Sequence, residues 1–165
     1  MRESSFICML GLASLLAGQN NGSSGLVLRV NPEAHLTPSS AQLAFHVARP
    51  GDTAISSPVT VNAWVRALPG QQILLTAHVR KLTGPVGDVP FAALQWSGQM
   101  LSAKGGGQAA NCLGGGFSSG PDQPVIGGWN ESGIATCSMR FSLTTNSTWL
   151  QGDYAGQVDL QLSTR

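Results

Sequence analysis

The sequence predicts an all-β protein, a sandwich or barrel of about seven or eight antiparallel strands. Three observations carry that expectation. Apolar residues recur at every second position through most of the chain after residue 40, the period of a strand with one face on a core and one in water. Clusters of turn-forming residues punctuate these runs, among them Arg49-Pro50-Gly51-Asp52, Leu68-Pro69-Gly70, Gly87-Asp88 and Gln151-Gly152-Asp153. Helical periodicity is nearly absent from the same stretch.

The elements follow in order. Residues 26–30 (LVLRV) read as a short first strand. Residues 41–47 put Leu43, Phe45 and Val47 on one face. Residues 59–66 send Val59, Val61, Ala63 and Val65 inward and Thr60, Asn62, Trp64 and Arg66 outward. Ile73, Leu75, Ala77 and Val79 share a phase, and a short strand follows at Leu94 to Trp96. Cys137, Met139, Phe141 and Leu143 form another row, and Tyr154, Gly156, Val158, Leu160 and Leu162 form the last. One segment breaks the rhythm. Residues 105–133 are crowded with glycine and carry Pro121 and Pro124, so they read as one long Gly-rich loop.

The N-terminus is of a different kind. A positive start at Arg2, an apolar run from Phe6 to Ala17, and small residues after it have the layout of a secretory signal peptide. The run is shorter than the roughly 20 apolar residues of a membrane span. The expected organisation is a signal peptide at 1–18, a flexible polar linker at 19–25 and a single β-sandwich domain at 26–165. Export sets the redox compartment. Cys8 leaves with the signal, and Cys112 and Cys137 remain as a pair expected to form a disulfide.

Charge is sparse, at 10% of residues with a formal net charge of +1. Arg80-Lys81 is the one adjacent basic pair, which argues against nucleic acid and anionic membrane as partners.

Gly116-Phe117-Ser118-Ser119-Gly120 matches G-x-S-x-G, the pattern of a hydrolase nucleophile elbow. That elbow needs a strand before the serine and a helix after it. Here glycines precede, and Pro121 and Pro124 follow. All three histidines (His35, His46, His78) lie upstream, whereas the α/β-hydrolase order places its histidine last. The match is read as chance, and no catalytic residue is assigned. His46 and His78 sit on outward phases without metal-ligand spacing, no carboxylate run spells a calcium loop, and no metal or other cofactor is expected.

The tryptophans say more. Trp96 shares the phase of Leu94 and belongs to the core, and Trp149 plugs an end of the sandwich. Trp64 falls on the polar phase of its strand, and Trp129 sits beside Asn130 in the glycine-rich stretch. Trp129, Asn130 and Trp64 are the candidate contacts for a ligand or partner, since exposed aromatics with polar neighbours stack on sugars or anchor proteins. For Trp129 itself the favoured reading is a ring folded back over an open end of the core, because tryptophan is highly buried on average. Asn21, Asn130 and Asn146 stand in N-glycosylation sequons, a short pattern that arises often by chance.

The closing stretch WLQGDYAGQVDLQLS, Trp149 to Ser163, resembles the last strands of bacterial secreted immunoglobulin-like β-sandwich domains, in which G-x-Y-x-G-x-V-x-L is common. Spore coat protein U and fimbrial-type subunits are similar examples. The resemblance implies an immunoglobulin-like sandwich in which Tyr154 is a structural corner, its hydroxyl tied to nearby backbone. The chain departs from antibody domains in having no cysteine after Tyr154. The expected function is an exported, non-catalytic, structural, surface-assembly or adhesion component, secreted to the extracellular space or periplasm. Its partner would be a protein or an extracellular polysaccharide, with self-assembly open. A carbohydrate-binding module using Trp129 and Trp64 is the second reading, and a secreted hydrolase the third.

Overall fold

The computed structural model describes residues 33–165, so the expected signal peptide, the linker and the strand at 26–30 lie outside the described residues. Twelve strands build the rest: β1 (Glu33–Thr37), β2 (Ser40–Val47), β3 (Thr53–Ile55), β4 (Val59–Arg66), β5 (Ile73–Gly84), β6 (Gly87–Asp88), β7 (Leu94–Gly105), β8 (Asn111–Cys112), β9 (Gly115–Gly116), β10 (Asp122–Trp129), β11 (Gly133–Thr144) and β12 (Gly152–Thr164). Short 3₁₀ turns at Phe91–Ala93 and Gly106–Ala109 complete it.

The strands form two antiparallel sheets. The first runs β1-β4-β11-β7-β9, with β3 also on β11, and the second runs β2-β12-β5-β10-β8, with β6 on β5. The arrangement is sandwich-like, because the inward rows of both sheets meet in one apolar cluster. Val61, Ala63, Val65, Leu94, Met139, Phe141 and Leu143 come from the first sheet. Phe45, Leu75, Val79, Ile126, Tyr154 and Val158 come from the second. The alternation rows at β2, β4, β5, β11 and β12 lie inward as their phases require, apart from half-buried Val59 and Leu162 at the margins. Burying each large side chain of these rows contributes about 1.5–3 kcal/mol.

Where the phase breaks, a bulge repairs it. On β5, Arg80 and Lys81 are both exposed between buried Val79 and Leu82. The pairing with β12 shifts there, with Val158 opposite Val79 and Gln157 opposite Lys81. Arg80, the one residue skipped between those two pairs, is therefore the extra residue of a β-bulge, and its insertion leaves both members of the adjacent basic pair facing out.

The long loop expected over residues 105–133 is not one loop. It holds β8, β9 and, in the interior of the second sheet, the eight-residue β10 between β5 and β8. Two features hid that strand. Pro124 sits beside a register shift between Pro124 and Ile126, the kind of irregularity where a sheet tolerates proline. The same shift places Val125 and Ile126 both in the core, which destroys simple alternation.

The glycines have a packing role instead of a loop role. Gly107 is buried where the 3₁₀ turn lies on β11, and a Cβ added there would overlap the Ile134 carbonyl. Gly107→Ala should therefore destabilise the protein by about 1–3 kcal/mol through overpacking. A urea titration checks this, and an unchanged midpoint would contradict the close approach.

Cys112 and Cys137 are bonded, with Cα atoms 6.0 Å apart. Cys112 ends edge strand β8 of the second sheet, and Cys137 lies in β11 of the first. The expected disulfide thus joins the two sheets.

Candidate functional site

The turn between β10 and β11 is where a predicted contact residue meets a cleft. Near the end of β10 the register slips again: Ile126 lies opposite Leu75 and Trp129 opposite Ile73, so Gly127 and Gly128 together face the single residue Leu74. Gly128 has φ +77°, a conformation that side chains with a Cβ resist. The kink turns Trp129 inward. Its ring is 1% exposed, and its indole N–H donates to the Glu131 carbonyl at 2.7 Å. Of the two readings of Trp129, the ring folded back over the core is the one found; no exposed aromatic platform forms, because the bulge turns the ring inward.

That inward bond shapes the turn and leaves Asn130 and Glu131 exposed. Ser132 ties the turn to the loop after β4: its hydroxyl accepts from Ala67 N at 2.9 Å and donates to Ala67 O at 3.1 Å. Gln72 and Arg165 exchange two backbone hydrogen bonds of 2.8 Å, which fixes the opposite wall. Between these walls lie two adjoining cavities that share Gln72 and Asn130. The first, about 260 Å³, has Trp129, Gly128 and Arg165 in its lining. The second, about 500 Å³, opens over Leu68, Pro69 and Glu131. Among the described residues, the side chains of Gln72, Asn130 and Glu131 make no intramolecular hydrogen bond or ion pair, so their polar atoms face the cleft or water.

Trp64 lies elsewhere, on the outer face of the first sheet. Its register neighbours are His35 on β1 and Ile134 on β11. Its half-buried indole is engaged by the His35 ring at 5.3 Å and by the Arg66 guanidinium at 5.5 Å. The structure does not bring Trp64, Trp129 and Asn130 into one site.

Each described histidine bonds a carboxylate. His46 Nδ1 meets Asp153 at 2.8 Å, His78 Nδ1 meets Asp122 at 2.7 Å, and His35 Nε2 meets Glu33 at 2.8 Å. The first two are direct cross-strand pairs on exposed faces. Solvent screens all three, so each contributes little to stability. Sequence reasoning missed the first two because it had not paired β2 with β12 or β5 with β10, and it missed His35–Glu33 because it had not recognised β1. No group of three or more His, Cys, Asp or Glu side chains gathers as a metal site among the described residues. Nor, among these, is any helix long and apolar enough to cross a membrane.

Ser118 sits on an exposed turn between β9 and β10, closed by Gly120 N donating to Phe117 O at 3.2 Å. The turn is anchored by Phe117, 1% exposed and packed on Trp96 at 4.9 Å between ring centroids. A strand follows it, not a helix. Ser118→Ala should change stability by less than about 0.5 kcal/mol, as for other surface substitutions. A serine-reactive phosphonate should leave the protein unlabelled by intact mass, and stoichiometric labelling at Ser118 would restore the hydrolase.

Tyr154 lies near the start of β12, buried, with its hydroxyl donating to the Leu150 carbonyl at 2.7 Å. Trp149 stacks on it, 5.6 Å between ring centroids.

Comparison with known proteins finds no matching family model, no similar curated protein and no similar solved structure.

Proposed function

We propose that the chain is an exported, non-catalytic β-sandwich of immunoglobulin-like type that serves as a structural, surface-assembly or adhesion component. The observation that carries the reading is the closure of the fold. Tyr154 is the third residue of the final strand, and its hydroxyl returns to a carbonyl four residues upstream, which supports a tyrosine corner. The corner supports the resemblance of Trp149 to Ser163 to the last strands of secreted immunoglobulin-like domains. A disulfide between the sheets supports an oxidising destination. Long paired strands, mostly polar outer faces and sparse charge suit a durable part of an extracellular surface.

The test is genetic. Deleting the gene should reduce adherence of the cells or alter their surface layer in electron micrographs, and a plasmid copy should restore both. Unchanged adherence and an unchanged surface would remove this reading.

A further inference from the structure

We infer that the cleft around Asn130 is a binding site for a neutral saccharide, a sugar ring presented by an oligosaccharide or glycan. Three observations lead there. First, the walls are preorganised: the Ser132–Ala67 bonds, the Gln72–Arg165 backbone pair and the Trp129 indole bond hold them independently of any ligand. Binding then costs little ordering of loops.

Second, the chemistry facing the opening is that of hydroxyl recognition. The Gln72 and Asn130 carboxamides each set a donor beside an acceptor, a match for two neighbouring hydroxyls that both give and take hydrogen bonds. Glu131 adds acceptors and Arg165 adds donors. One acid and one base leave the cleft without a dominant charge. A phosphate or a polyanion would call for clustered cations, which the cleft lacks.

Third, the polar groups stand beside apolar surface. Leu74, half-buried, lines the inner cavity over buried Ile73 and Trp129, and Leu68, 40% exposed, borders the outer one. A sugar presents C–H patches between its hydroxyls, and a site with a few fixed polar groups on an apolar wall suits such a molecule. Two adjoining cavities suit consecutive rings. Among the residues singled out from sequence, Asn130 alone lies in this cleft with its side chain exposed.

This inference takes the adhesion reading as its context, but the binding it asserts is a property of the purified protein. The test is an array of glucose-, galactose-, mannose- and N-acetylglucosamine-terminated oligosaccharides, probed with the folded, oxidised protein. The strongest binder is then titrated into ¹⁵N-labelled protein. At least one oligosaccharide should bind saturably, with amide shifts concentrated at Gln72, Gly128 and Asn130. Asn130→Ala and Gln72→Ala should each weaken binding by about tenfold, the loss of hydrogen bonds within a fixed site. Thermal unfolding of both variants should match the parent, since neither side chain bonds within the protein. Trp64→Ala should bind as the parent does. An array without binders, shifts confined to the outer face around Trp64, or parental affinity in both cleft variants would overturn the site. Glycan binding without an adherence defect on gene deletion would remove the adhesion reading and keep the site. The reverse pair of results would remove the site and keep adhesion.

Discussion

Tyr154→Ala is expected to destabilise the protein by about 3–5 kcal/mol, the range for truncating a large buried aromatic. The ring is 1% exposed near the start of the final strand. Three contacts depend on it. Trp149 stacks on one side at 5.6 Å, and the alanine variant would leave that indole beside a cavity. Gly84 lies so close that a Cβ there would overlap the ring, so the β5 hairpin end packs directly against Tyr154. The hydroxyl donates to Leu150 O at 2.7 Å and holds the preceding turn. Tyr154→Phe isolates that bond. It should cost about 1 kcal/mol, because Leu150 is exposed and water can reach the carbonyl left behind. Gln157→Ala, on the outward phase, should cost less than either. These values come from urea titrations of the three variants. If Tyr154→Phe is as neutral as Gln157→Ala, the corner bond carries nothing and the immunoglobulin-like reading loses its main support.

The second large effect belongs to the disulfide. Replacing Cys112 and Cys137 together by alanine should cost about 3–4 kcal/mol, from the chain entropy of a loop closed over 25 residues. The loss should not be spread evenly. β8 is a two-residue strand at the edge of the second sheet, paired only to the end of β10. Without the bond to β11, amides near Asn111 and Ile126 should lose hydrogen-exchange protection before those of β5 or β12. Equal stability of oxidised and reduced protein in guanidinium titration would contradict the expectation.

How far the sequence was readable depends on what each feature requires. Rows that alternate without interruption, such as Val61-Ala63-Val65 and Cys137-Met139-Phe141-Leu143, were legible because period and burial coincide along one strand. β10 was not, since two register shifts and a proline erase its period while its pairing with β5 stays intact. β1 escaped notice for another reason. Its five residues are nearly all exposed, so no apolar row marks it. The disulfide was legible from cysteine arithmetic, but its role as a bridge between sheets was not, because that role depends on β8 joining the second sheet. The site divides the same way. Asn130 stood out as a polar residue beside a tryptophan among glycines. The cleft around it could not be read, as Gln72 and Arg165 reach it only through pairing between distant strands. The burial of Trp129 follows from a left-handed glycine that no alternation rule signals.

The proposed role requires an exported protein whose two sheets are joined by an oxidised cysteine pair at the cell surface. Fractionation of the source cells with differential alkylation measures location and oxidation together. Cells are treated with a membrane-impermeant thiol reagent, fractionated, denatured, and alkylated with a second reagent before and after reduction. Protein is expected in the surface, periplasmic or culture fraction, lacking Cys8, with Cys112 and Cys137 alkylated only after reduction. Protein confined to the cytosol, with Cys8 retained and both later cysteines alkylated before reduction, would contradict it.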